Sequence, residues 1–189
     1  MKRYIKLYSN VLSRDVCEEM MEIFDRREEQ HDVRDNQLMN FTQINMIQHP
    51  ETWKRYTDIL SNTYIKLIEQ YKHDCDIKTH IQWPEKYGFE EFRIKRYEPN
   101  QGRFDLHTDV NDLNSAKRFL VFFIYLNTNK DGGTEFPLLG LTSPCVQGNA
   151  LMFPPLWTYP HVGQMPRHGR KYIVGSYLHY LRNDDAEYT

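Results

Sequence analysis

Hydrophobic residues recur at helical spacing in the first half of the chain. The spacing predicts a short strand at residues 4–8, a helix with Ser13 or Asp15 as its N-cap, and a second helix over residues 51–71. The apolar stripe of the second helix comprises Trp53, Tyr56, Leu60, Tyr64, Leu67, Ile68 and Tyr71. Residues 31–49 are polar and lack a period, which indicates a loop or an added strand near residues 41–47.

After residue 92 the pattern changes to short apolar segments. Strands are predicted at residues 92–97, 104–109, 118–127, 134–137, 149–153 and 171–180. Turn signals rich in glycine, asparagine and proline separate these segments. Many short strands favour antiparallel pairing in a barrel or jelly roll.

Length and composition are typical of one globular domain. The 189 residues, 40% of them hydrophobic, are predicted to fold as a single domain over 1–189, with a helical support region at 1–90 and the β core at 91–180. The formal net charge is −2, with 24 basic and 26 acidic residues, so no overall field attracts nucleic acid. Neither a signal peptide nor an apolar membrane span is evident, and we expect a cytoplasmic protein.

His107 and Asp109 are the first candidates for chemistry. Residues two apart on a β-strand point to the same face, so a His-x-Asp step directs an imidazole and a carboxylate toward one metal ion, while Thr108 points away. His161 from a distant strand would complete the facial triad of a non-haem Fe(II) oxygenase, which leaves positions open for substrate and dioxygen. Taken in isolation, a histidine that follows Pro160 is more typical of an ordinary turn.

The order of the surrounding motifs carries a resemblance to a known family. Tyr97 opens the segment Y-E-P-N-Q-G-R-F-D-L-H-T-D, Tyr125 lies in R-F-L-V-F-F-I-Y-L-N, and Lys171 follows His161 by ten residues in G-R-K-Y. Residues 91–180 resemble the 2-oxoglutarate- and Fe(II)-dependent oxygenases and, within them, the prolyl 4-hydroxylase-like branch. The resemblance implies a fold that is mainly β with flanking α-helices: a double-stranded β-helix, or jelly roll, with N-terminal helices packed on the sheet.

The resemblance also implies a role for each candidate. The triad would hold the catalytic iron, Lys171 would pair with the distal carboxylate of 2-oxoglutarate, and Tyr97 and Tyr125 would lie in the 2-oxoglutarate pocket. Structural alternatives remain, because Lys171 could be a solvated strand lysine with Arg170 as the fallback cation, and both tyrosines could be wall residues of the barrel. Strand alternation puts Tyr125 on one face together with Phe119, Val121 and Phe123.

The reaction implied is hydroxylation of a C–H bond coupled to decarboxylation of 2-oxoglutarate to succinate and CO2. Its cofactors would be Fe(II), 2-oxoglutarate and O2, with ascorbate as a candidate reductant. A peptide or protein, with peptidyl proline as the first candidate, or a small molecule would be the substrate; no membrane partner is indicated, and the oligomeric state stays open. Three alternatives remain: a nucleobase oxygenase, a non-catalytic jelly-roll binding module, and a cupin-like protein that uses another divalent metal.

Overall fold

The structure, a computed structural model, describes residues 2–78 and 81–181. Within these ranges it contains two α-helices, α1 (Arg14–Arg26) and α2 (Pro50–Asp74), and several short 3-10 helices. The strands are β1 (Lys6–Tyr8), β2 (Asp32–Asp35), β3 (Met39–Asn45), β4 (Tyr87–Phe89), β5 (Arg93–Tyr97), β6 (Arg103–His107), β7 (Arg118–Tyr125), β8 (Asn129–Phe136), β9 (Leu141–Cys145), β10 (Ala150–Phe153), β11 (His161–Gly163) and β12 (Lys171–Tyr180).

Both predicted helices are present and bury an apolar stripe. Ser13 is the N-cap of α1, where its side-chain oxygen accepts a hydrogen bond from the backbone N–H of Val16 at 3.4 Å. Helix α2 begins at Pro50, since a proline in the first turn lacks only an N–H that would have no partner inside the helix. The side chains that α2 buries are Trp53, Tyr56, Leu60, Tyr64, Ile68 and Tyr71. The predicted stripe is therefore confirmed except at Leu67, which is only partly buried.

The strands form one antiparallel sheet that is nearly closed, as in a jelly roll. Along the sheet the order is β1-β10-β7-β12-β5-β3-β6-β11-β8-β9, with β2 added beside β3 and β4 beside β12. The predicted fold class, mainly β with helices preceding and packing on the sheet, is confirmed.

Several strands lie where the sequence pattern predicted none. The strand predicted near residues 41–47 is β3, but β2 in the same segment was missed because all four of its residues are exposed and show no alternation. Strands β4 and β11 have three residues each, too few to show a period. In the predicted strand at 4–8 only Lys6–Tyr8 is extended, since Lys2–Tyr4 forms a 3-10 helix.

Alternate residues of β7 face two different cores. Leu120, Phe122 and Ile124 pack in the cluster that includes both helices. Val121, Phe123 and Tyr125 contribute to a second cluster inside the barrel, so their predicted common face is confirmed. Phe119 was wrongly placed on that face: its ring packs 5.2 Å from that of Trp83 in the helical cluster, because the pairing of β7 with β12 shifts register beside it.

Candidate metal centre

The three predicted ligands converge on one point inside the barrel. His107 is the last residue of β6, His161 is the first of β11, and the two are directly opposite each other in the antiparallel pair. Their Nε2 atoms lie 3.7 Å and 3.5 Å from the two carboxylate oxygens of Asp109. One candidate ligand atom from each residue lies within 4.8 Å of the others, which makes the group a candidate iron site.

Asp109 is not positioned by strand alternation, contrary to the prediction. Strand β6 ends at His107, so the carboxylate lies in the loop that follows. This loop is held by hydrogen bonds: Arg118 donates to the backbone oxygen of Asp109 at 3.1 Å, and the N–H of Val110 donates to the oxygen of Pro155 at 3.2 Å. Loop contacts to neighbouring segments therefore hold the carboxylate in place.

Backbone carbonyls orient both imidazole rings. Nδ1 of His107 lies 2.7 Å from the backbone oxygen of Asp105, and Nδ1 of His161 lies 3.1 Å from that of Tyr159. A carbonyl only accepts, so each Nδ1 donates to it, and each Nε2 is left facing the space beside Asp109 where a metal ion would lie. The ring of Phe104 stacks on His107 with the centroids 3.5 Å apart, which further fixes that imidazole.

The electrostatics of the triad suit a divalent cation. Burial opposes ionisation of Asp109, yet the two histidines and the hydroxyl of Tyr177 hold the pKa of this carboxyl below its usual range. Burial lowers the pKa of His161 to about 4, although Asp109 opposes this shift, so the ring is neutral at pH 7. Among the described residues, Oδ2 of Asp109 is buried without a hydrogen-bond donor. Two imidazoles whose Nε2 atoms face an ionised, under-coordinated carboxylate fit Fe(II).

Tyr177 and Arg118 both form hydrogen bonds with Asp109, and sequence reasoning missed both residues. The hydroxyl of Tyr177 donates to Oδ1 of Asp109 at 2.7 Å. The guanidinium of Arg118 lies 4.0 Å from the centroid of the Tyr177 ring and donates to both carboxylate oxygens of Glu90, at 2.9 and 2.8 Å. Alternation along β12 was the available signal, since Lys171, Ile173 and Tyr177 all line the cavity beside the triad.

Lys171 lies deep in the same cavity. Only 2% of its surface is exposed, it pairs directly with Tyr97 across β12 and β5, and its amine lies 5.0 Å from the centroid of the Tyr97 ring. Burial lowers the pKa of Lys171 to about 8. No carboxylate within the described part of the chain forms an ion pair with it, so the pocket holds a cation ready for an anionic ligand.

Two further features shape the space around this lysine. The hydroxyl of Tyr125 donates to Oγ1 of Thr134 at 2.9 Å, and both residues are buried. At Gly132 an added Cβ would lie 2.9 Å from Cδ of Lys171, so the glycine leaves room for the lysine side chain. Tyr97, Thr134 and Lys171 line one small cavity with the triad, whereas Tyr125, predicted to lie in the pocket, does not line it and contacts Thr134 from behind.

Arg170, the fallback cation, faces the other side of the strand. Its side chain is 48% exposed, and it donates hydrogen bonds to Glu98 at 3.0 Å and to Asp25 at 3.4 Å. Because neighbouring strand residues point to opposite faces, Lys171 is the one that enters the barrel.

Strand β5 contributes a second lysine that sequence reasoning missed. Arg93, Lys95 and Tyr97 alternate with Ile94, which is fully buried, and Arg96, which pairs with Asp25. Lys95 lines both the inner cavity and an open pocket that also borders His107 and Asp109. Its position two residues before Tyr97 was the signal that could have revealed it.

The part of the chain that holds the site matches a known family. Residues 92–179 match the family model of the 2OG-Fe(II) oxygenase superfamily, and this range contains all the predicted site residues. The match assigns this domain to that superfamily, as the sequence resemblance predicted. It is the domain of a 2-oxoglutarate-dependent dioxygenase, whose cofactors are Fe(II), 2-oxoglutarate and O2.

Solved structures with the same fold include several prolyl hydroxylases. A viral collagen prolyl hydroxylase from Paramecium bursaria Chlorella virus-1, in complex with 2OG, superposes with a TM-score of 0.71 at 19% identity over 95% of this chain and 97% of its own. A Pseudomonas putida prolyl-4-hydroxylase gives a TM-score of 0.65 at 15% identity, covering 94% and 93%. A Trichoplax adhaerens prolyl hydroxylase, in complex with a hypoxia inducible factor peptide fragment, gives 0.69 at 13% identity, covering 94% and 84%. At these identities the likeness establishes the fold.

Two further findings concern curated relatives and membrane spans. No curated protein matches the chain significantly. Among the described residues, none of the helices has the length and apolar character needed to cross a membrane. The predictions of ascorbate as a reductant and of a cytoplasmic location stay predictions.

Proposed function

We propose that the protein hydroxylates a C–H bond of its substrate and couples this to decarboxylation of 2-oxoglutarate to succinate and CO2. The observation that carries the proposal is one cavity in which two imidazoles and a carboxylate converge beside a buried lysine. A metal hydrolase or isomerase has no need of a buried cation at this place. The complete set of triad and lysine also argues against a jelly roll that only binds a partner.

The roles of the protein residues follow from their positions. His107, Asp109 and His161 would hold Fe(II), and Lys171 would bind the distal carboxylate of 2-oxoglutarate through charge-assisted hydrogen bonds. Tyr97 is itself buried and forms the wall of the cavity beside this amine. When bound, the iron supplies the activation of dioxygen needed to attack an unactivated C–H bond.

Peptidyl proline is the substrate that we propose first. Three proteins with this fold are named as prolyl hydroxylases, and one of them was solved with a peptide fragment. An open pocket borders His107 and Asp109 and would give a peptide access to the metal. Its outer wall comes from the hairpin of β2 and β3, through Arg34, Leu38 and Met39.

The first test is anaerobic titration of the protein with Fe(II) and 2-oxoglutarate. We expect the weak visible metal-to-ligand charge-transfer band of the chelate, and we expect His161→Ala to abolish it. His168→Ala is the matched control, because His168 is an exposed histidine bonded to Asp131. His107→Ala and Asp109→Ala should likewise abolish Fe(II)-dependent turnover of 2-oxoglutarate.

The substrate is tested after the cofactors. Proline-containing peptides should stimulate succinate formation in the wild-type protein, with a mass increase of one oxygen in the peptide. Full 2-oxoglutarate turnover in either His107→Ala or Asp109→Ala would reject the ligand assignment. Absence of the band in folded, iron-loaded wild-type protein would reject the proposed reaction.

A further inference from the structure

The open pocket beside the triad is lined by four basic side chains. Three of them are arginines that already have a carboxylate partner. The closest N–O distances are 2.7 Å for Arg34 with Asp32, 3.0 Å for Arg93 with Glu91 and 2.8 Å for Arg118 with Glu90. The fourth is Lys95, and no carboxylate in residues 2–78 or 81–181 forms an ion pair with it.

Aromatic side chains hold the amine of Lys95 in place. Nζ lies 4.7 Å from the centroid of the Phe41 ring and 5.7 Å from that of Phe104. The two rings are tilted against each other with centroids 5.8 Å apart, and Phe104 in turn stacks on His107. The side chain is of intermediate burial and lines the open pocket, so an incoming ligand can reach its amine.

The charges at the deep end of the cavity balance without Lys95. Fe(II) and the ammonium of Lys171 together offset the carboxylate of Asp109 and the two carboxylates of 2-oxoglutarate. The bound metal and cosubstrate therefore leave Lys95 as one uncompensated positive charge in a partly desolvated pocket. Such a charge is stabilised by one singly charged anion.

We propose that Lys95 binds a carboxylate of the substrate, close to the C–H bond that is hydroxylated. This inference rests on the proposed function and narrows its substrate class. The carboxylate has two possible sources: an acidic side chain beside the target residue of a peptide, or the carboxylate of a free amino acid. In both cases the group would bind by a charge-assisted hydrogen bond to Nζ.

The experiment compares probes that differ only in this charge. One set consists of end-blocked peptides with a central proline and either Glu or Gln, or Asp or Asn, at each flanking position. The other set consists of the free amino acids and their carboxamides. Succinate formation is measured with each probe at saturating Fe(II) and 2-oxoglutarate, and the charge-transfer band is recorded in parallel.

We expect a carboxylate probe to stimulate turnover roughly ten- to hundredfold more than its amide partner, which is the size of one hydrogen bond to a charged group. Lys95→Met keeps the length of the side chain but removes its charge, so it should abolish this preference. Lys95→Arg should retain most of it. Lys54→Met is the control, since Lys54 lies on the exposed face of α2 and pairs with Asp58.

The outcomes separate this inference from the proposed function. Preference for the peptide acids or for the free amino acids identifies the source of the carboxylate, and either supports the inference. Three outcomes would overturn the inference if the charge-transfer band is present: equal stimulation by acid and amide, stimulation by neutral probes alone, or no stimulation by any probe. A raised 2-oxoglutarate requirement in Lys95→Met would also overturn it, because Lys95 would then serve the cosubstrate. Absence of the band in folded, iron-loaded wild-type protein would refute the proposed function itself.

Discussion

Two lysines face the same cavity from neighbouring strands but lie in different surroundings. Lys171 is 2% exposed in a small space closed by Tyr97 and Thr134. Lys95 lies farther toward the open pocket, which the β2–β3 hairpin borders. Desolvation lowers the pKa of both amines to about 8, so the pKa does not distinguish the two lysines.

The difference lies in what each lysine can reach. The closed end, bordered by Tyr97, Thr134 and Lys171, would hold the distal carboxylate of 2-oxoglutarate in the proposed function. The open end combines a cation with apolar and aromatic walls such as Leu38 and Phe41, and larger ligands can enter it. In the proposed function the barrel would therefore fix the cosubstrate, whereas the hairpin and the mouth of the pocket would select the substrate.

Lys171→Ala should have the largest effect on the binding of 2-oxoglutarate. We expect it to raise the 2-oxoglutarate requirement about a hundredfold, because a buried carboxylate would lose its charge-assisted partner. The iron requirement should change much less. Succinate formation measured against 2-oxoglutarate and Fe(II) concentration separates the two effects.

Arg170→Ala is the matched control for this prediction. Its side chain is largely outside the barrel and bonded to Glu98 and Asp25, so its 2-oxoglutarate requirement should match that of the wild type. Equal increases in the requirements for iron and cosubstrate in Lys171→Ala would contradict the separation of the two ends. If the 2-oxoglutarate requirement rose only in Arg170→Ala, Arg170 would be the residue that binds the distal carboxylate.

The sequence predicted the triad and the surroundings of Lys171 better than it predicted the open pocket. Spacing and resemblance singled out the triad, Tyr97 and Lys171, since these residues lie in long strands or in a recognisable motif. Tertiary pairing brought the rest together: Glu90 meets Arg118 across 28 residues, and β2 is an exposed strand without alternation. Short and exposed segments carry little periodic signal, so the sequence pattern did not reveal the wall of the open pocket.

Tyr177→Phe should weaken metal binding at the triad, which borders both the closed space around Lys171 and the open pocket. It removes the 2.7 Å hydrogen bond to Asp109 and is expected to weaken Fe(II) binding about tenfold, the usual cost of losing a group that orients a metal ligand. At saturating iron the 2-oxoglutarate requirement should be unchanged. Fe(II) titration of the charge-transfer band measures the shift.

Tyr180→Phe is the control on the same strand, because Tyr180 is 52% exposed. An unaltered iron requirement in Tyr177→Phe would mean that the loop around Asp109 holds the carboxylate without this hydroxyl.

The pH dependence of cosubstrate binding gives the smallest expected effect and the sharpest distinction between the lysines. The pKa of Lys171 is lowered to about 8, so its amine is charged below that pH and loses its charge as the pH rises through it. Between about pH 7 and pH 8.5 the charged fraction falls about fourfold, and the affinity for 2-oxoglutarate should fall with it. Lys171→Arg should flatten this fall because a guanidinium stays charged, whereas Lys95→Arg should leave it intact. If Lys95→Arg flattened the pH-dependent fall in affinity instead, Lys95 would be the lysine that binds 2-oxoglutarate.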